Sequence, residues 1–120
     1  MKKIEAVFVP QKFDQVRAVM VSLNLNQFLL TALSAHEAEP ATTLRWSSDW
    51  QEDLAPRLKL EVLVDDDTAQ DVARAILGAA RTRHAREAFV TMSSVDSVVE
   101  TNEMAPKPKR AASQAVSLHA

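Results

Sequence analysis

Arg81, Arg83, His84 and Arg86 place three guanidinium groups and an imidazole within six residues, a density that suits an anion such as a phosphate. The same residues follow a predicted helix end, where cations offset the negative pole of the helix dipole, so a structural reading stands beside the anion-binding one. His36, Glu37 and Glu39, with His84 more distant, could supply metal ligands, although their spacing fits no strong template. Trp46 and Trp50 are the chain's two tryptophans, and they stand in a polar stretch with Glu37, Glu39, Asp49, Glu52 and Asp53. Aromatic anchors in such a setting suit docking on a partner through Trp46, Asp49 and Trp50. They suit equally a segment folded back on its own subunit, and Ser48 with Gln51 resembles a capping box for a short helix over 49–54. Ser47, Ser48, Ser93 and Ser94 have no patterned base nearby, and no carboxylate pair is marked out for acid–base work. Catalysis is not expected.

Composition narrows the classes further. The 120 residues fit one domain, and a net charge of −2 gives no field suited to nucleic acid. With no cysteine, disulfides, thiolate metal sites and a cysteine nucleophile are excluded. Gly78 is the only glycine and lies within a predicted helix, so no glycine-rich loop can cradle a phosphate. No run is long enough for a membrane helix, and the charged start KKIEAVFVP reads as a strand and not as a signal peptide. A cytoplasmic protein is the default expectation.

The elements that must position these residues repeat a shape. KKIEAVFVP alternates with period two and runs into QKFDQVRAVMVSL, whose stripe is Phe13, Val16, Val19, Met20 and Leu23. RLKLEVLV alternates again and runs into DDDTAQDVARAILGAAR, with Asp65 to Thr68 as caps and a stripe of Ala69, Val72, Ala73, Ile76 and Ala80. Strands over 28–34 and 88–92 complete a split β-α-β-β-α-β order. The expected fold is α+β and ferredoxin-like, a four-stranded antiparallel sheet with two helices on one face. Val7, Val9, Leu63 and one parity of 28–33 would then line an uncovered face too apolar for water. Self-association through that face is expected, with two or three subunits both open.

The boundaries expected are a domain over 1–102, holding a long loop at 35–55, and a disordered tail over 103–120. The tail holds two prolines and a small basic cluster, which could also dock on an acidic loop or partner.

MKKIEAVFVPQKFDQVRAVMVSL resembles, without a gap, the opening strand and helix of the PII signal-transduction family. PRLKLEVLVDDDTAQDVARAILGAART resembles its third strand and second helix, down to the Ala-Ala-Arg-Thr end, so the likeness covers about half of the chain. The resemblance implies a homotrimer with ATP or ADP, and often 2-oxoglutarate, held in clefts between subunits; for this chain ATP, ADP or AMP are the candidate cofactors. It also implies a long T-loop that acts on a target protein, such as a membrane transporter, and no insertion into the membrane itself. Carried over by position, the effector-binding set is Arg57, Glu61, Arg81, Thr82, Arg83, His84 and Arg86, with Arg57 at the place of a family lysine and Thr82 near the base or ribose. The family's motifs are otherwise rewritten. The T-loop base reads Ala35-His36-Glu37-Ala38-Glu39, Trp50 stands near the tyrosine that is modified, and the B-loop shortens to Arg83-His84-Ala85-Arg86-Glu87. Glu100 and Asn102 fall where two phosphate-binding arginines are found, so a smaller anion such as bicarbonate becomes a candidate effector. The likeness is thus to a divergent PII-like regulator of the kind associated with inorganic-carbon uptake. The rival readings are a metal-binding trimer of the CutA type, using His36, Glu37 and His84, and an interaction module that senses nothing.

Overall fold

The computed structural model describes residues 1–36, 54–84 and 86–101. Its elements are β1 (Lys2–Phe8), α1 (Phe13–Ser22), β2 (Leu29–His36), β3 (Leu54–Val64), α2 (Asp66–Ala80) and β4 (Phe89–Ser94). The strands form one sheet in the order β2-β3-β1-β4, with every neighbouring pair antiparallel. This is the ferredoxin-like α+β plan.

Alternation in β1 and β3 sends Ile4, Ala6, Phe8, Leu60, Val62 and Val64 to the helix side, where all are buried. Pro10 cannot continue the ladder, and it opens a single 3-10 turn, Pro10–Lys12, that turns the chain into α1. From α1, Val16 and Met20 are fully buried and Phe13 packs against the core. Leu23 does not join them and is 39% exposed, because the helix ends there. Asn24 adopts the left-handed conformation, φ 61°. Its N–H reaches the Val21 carbonyl at 2.9 Å and the Leu25 N–H reaches the Met20 carbonyl at 2.8 Å, a Schellman end with asparagine in the place of glycine.

The α2 stripe of Ala69, Val72, Ala73, Ile76 and Ala80 is buried as the sequence pattern requires. Its start differs from expectation, since no side-chain cap bond is made by Asp65; the Asp65 carbonyl instead accepts the Thr68 N–H at 3.2 Å. Asp66 and Asp67 still favour the positive end of the dipole. Gly78 faces open space, with nothing within 4 Å of an added Cβ. Gly78→Ala is therefore expected to raise stability by about 0.5–1 kcal/mol, read as a shifted urea midpoint.

Two expectations change. The loop expected at 35–55 is strand at both ends, because Ala35 pairs with Ala55 and His36 with Leu54, leaving 37–53 as the connection. Pro56 is tolerated in β3 because the β1 register stops at the Phe8–Leu58 pair, so that end of β3 is bonded to β2 alone. Second, the helices cover less than one whole face. They pack on each other, and α2 lies over β1 and β4, while the edge strand β2 exposes Leu29 on one side and Leu30 on the other.

Candidate functional site

The uncovered face is an ionic ladder with apolar margins. Register places Lys3, Glu5 and Val7 of β1 beside Leu63, Glu61 and Lys59 of β3, then Leu29 and Thr31 of β2 on one flank and Phe89 and Thr91 of β4 on the other. Lys3 Nζ bridges Glu5 at 2.9 Å and Glu61 at 3.5 Å, and Lys59 lies 3.9 Å from Glu61. The face is thus less apolar than its sequence parity suggested, and Leu29 and Phe89, 67% and 52% exposed, are its greasy edges. A hydrogen bond from the Lys3 ammonium, and then its charge, hold the Glu5 carboxyl below the ordinary glutamate range. The same hydrogen bond and the Glu5 charge hold Lys3 above its ordinary range.

The Glu5 contribution is present above the ordinary glutamate pKa and is lost as pH falls through the depressed value. The Lys3 contribution is present below the ordinary lysine pKa and is lost as pH rises through the raised one. The ladder is thus indifferent to pH between mildly acidic and mildly alkaline solution. In Lys3→Met, the Glu5 carboxyl is expected by carboxyl-carbon NMR to titrate at higher pH than in the parent, because the hydrogen bond and charge of Lys3 are the main cause of its depression.

At the lower end of this face lies a cleft of about 500 Å³. Phe28, Leu29, Val62 and Leu63 give it apolar walls, and Lys3, Asn26, Gln27 and Glu61 bring polar groups. It forms where the chain leaves the Asn24 turn and enters β2 against the far end of β3. Among the expected site residues, only Glu61 lies here.

The basic residues stand at the other end. Arg81 to Ala88 join the top of α2 to the top of β4, where Phe89 pairs with Val7. Thr82 organises this loop: its hydroxyl donates to Glu87 Oε1 at 2.6 Å and accepts the His84 N–H at 3.1 Å. The Glu87 N–H closes the turn on the His84 carbonyl at 3.1 Å. Arg81, Arg83, His84 and Arg86 are all exposed. Arg57 belongs to this end too; it is buried, with Nη1 donating to the Pro56 carbonyl at 2.7 Å.

From the Lys3 level of the cleft to the Val7 level where the loop begins is four residues, about 13 Å, and from β3 to β4 is a further ~10 Å. One small anion cannot touch both within a protomer. His36 and His84 likewise sit at opposite edges of the sheet, with three strand spacings, about 14 Å, between β2 and β4. Among the described residues no group of three metal-ligating side chains occurs. Trp46, Asp49, Trp50, Glu37 and Glu39 lie outside the described residues, as does the tail from 102 on. No described helix is long and apolar enough to cross a membrane.

The family described as nitrogen regulatory protein P-II matches residues 1–103 of this chain. The chain belongs to the P-II family. Its likeness to P-II proteins therefore runs well beyond the two strand–helix segments. Nitrogen regulatory protein P-II of Rhizobium meliloti (strain 1021) is 30% identical over 100 residues, 82% of this chain and 89% of the relative. The protein of that name from Synechocystis sp. is 29% identical over the same shares. That of Pyropia yezoensis is 25% identical over 107 residues, 87% of this chain and 96% of the relative.

Residue chemistry alone missed the cleft. Asn26, Gln27, Phe28 and Leu29 read as a turn followed by a strand, and nothing local shows that register will bring them beside Leu63. The bond from Thr82 to Glu87 was missed as well; a hydroxyl and a carboxylate five apart in a short loop are the only signal it left.

Proposed function

We propose that this chain is a PII-like signal-transduction regulator and not an enzyme. It works as a cytoplasmic homotrimer that binds a small anionic effector, an adenine nucleotide or an anion such as bicarbonate, between subunits. The observation that supports a shared site is the separation of its halves: an apolar cleft at one end of the open face, a basic loop at the other. Stacking copies through that face lets the loop of one subunit approach the cleft of the next, and covers Leu29 and Phe89 as it does so. In this arrangement Arg83 and Arg86, with Arg57 behind them, hold the anionic part. Phe28, Leu29 and Leu63 of the neighbour take the flat or apolar part, with Glu61 to accept a hydrogen bond from it.

Signal passes through the β2–β3 stem, since Arg57 lies in β3 only a few residues from where the 37–53 connection begins. An effector shifts that connection only by binding one of its conformations better than another. A target protein, such as a membrane transporter, then reads the connection through Trp46, Asp49 and Trp50. Calorimetric titration with ATP, ADP, AMP and bicarbonate tests the effector half. Saturable heat with at least one of them is expected, and no heat with any removes it.

A further inference from the structure

The basic loop carries its own anion. Glu87 is fixed by the 2.6 Å bond from Thr82, and no ion pair to Arg81, Arg83 or Arg86 accompanies it among the described residues. Its charge is therefore not consumed by a neighbouring guanidinium; it stays as a constant negative presence at the root of the loop. The C-terminal carbonyls of α2 add to it, because Arg81 follows directly on that helix and only its own N–H is turned back, onto the Leu77 carbonyl at 3.0 Å. An anion approaching the arginines thus meets an attraction that grows less steeply with its charge than the three guanidinium groups alone would make it.

We infer that Glu87 is a specificity-determining residue of the effector site, lowering its preference for a nucleoside triphosphate over a monophosphate. The inference rests on the loop being the anion-holding half of the site proposed above. Each extra negative charge at about 8 Å from a fixed carboxylate in a half-exposed setting loses roughly fivefold in affinity. Two further charges, from AMP to ATP without magnesium, then cost roughly 25-fold.

The test is calorimetric titration of AMP, ADP and ATP, without magnesium, into the parent protein, Glu87→Gln and Glu87→Asp. Glutamine keeps an acceptor for the Thr82 hydroxyl and removes the charge; aspartate keeps the charge. The ATP-to-AMP affinity ratio is expected to rise by about 25-fold in Glu87→Gln and to stay near the parent value in Glu87→Asp. A Glu87→Gln protein that binds both nucleotides with an unchanged ratio overturns the inference and leaves the site standing. A parallel loss for all three nucleotides assigns Glu87 to loop structure alone and overturns it too. If neither the parent nor Glu87→Gln binds any nucleotide, the effector reading fails and the inference falls with it.

Discussion

Replacing Arg83 and Arg86 together with alanine is expected to weaken effector binding by about a hundredfold or more while the fold stays intact. Each charge-assisted contact is worth about 1.5–3 kcal/mol, so the pair supplies at least about 3 kcal/mol, and tenfold in affinity corresponds to about 1.4 kcal/mol. Both side chains are exposed, and the bonds that shape their loop come from Thr82, His84 and Glu87, which the double variant keeps. Titration calorimetry reads the loss, and an unchanged thermal midpoint shows that it is not unfolding. If affinity survives with the midpoint unmoved, the cations merely offset the end of α2, and the anion sits elsewhere.

Phe8→Ala carries the largest expected effect on stability. Phe8 is fully buried at the top of β1, in one cluster with Ile4, Met20, Leu60 and Ile76. Removing a buried phenylalanine ring costs about 3–5 kcal/mol, from lost transfer energy and the cavity left behind. Against a total of about 5–15 kcal/mol for a domain, that is a large share. The thermal midpoint is expected to fall by at least about 10 °C in a calorimetric scan. Phe89→Ala makes the contrast, because that ring is 52% exposed at the sheet edge and its loss in a free subunit leaves no cavity. Its expected effect is on association through the open face, and concentration-dependent mass reads it.

How much of this could be read from the chain follows from the range of each interaction. The α2 stripe, the β3 alternation and the stop at Pro10 depend on neighbours a few residues apart, and they fold as patterned. The two faces of β1 followed from the same periodicity. Leu23 misled because its spacing fits the α1 stripe, while the Asn24 turn ends the helix beneath it. The connection is shorter than the 35–55 loop expected because Ala35 pairs with Ala55, and that pairing joins residues twenty apart with no signature of its own. The cleft depends on register between Leu29 and Glu61, thirty-two residues apart, and so lies beyond local pattern. The cluster of Arg81, Arg83, His84 and Arg86 is visible in the letters, and all four side chains are exposed. The loop's internal carboxylate was visible as a letter, but the bond that fixes it needed the geometry of Thr82.

The P-II kinship and the site point in compatible but unequal ways. Family membership supports the scaffold and the regulatory class.

An effector site completed only by a second subunit is tested most directly by mixed oligomers. One subunit carries Arg83→Ala with Arg86→Ala; the other carries Leu29→Trp, which fills the cleft of its own copy. Each is assembled alone and then with the other, and binding of the nucleotide that the parent protein takes up is measured by calorimetry. Neither variant alone is expected to bind, and the mixed oligomer is expected to recover sites where an intact loop meets an intact cleft. Failure of the mixture to recover any binding, with both variants folded and co-assembled, contradicts a site shared between subunits.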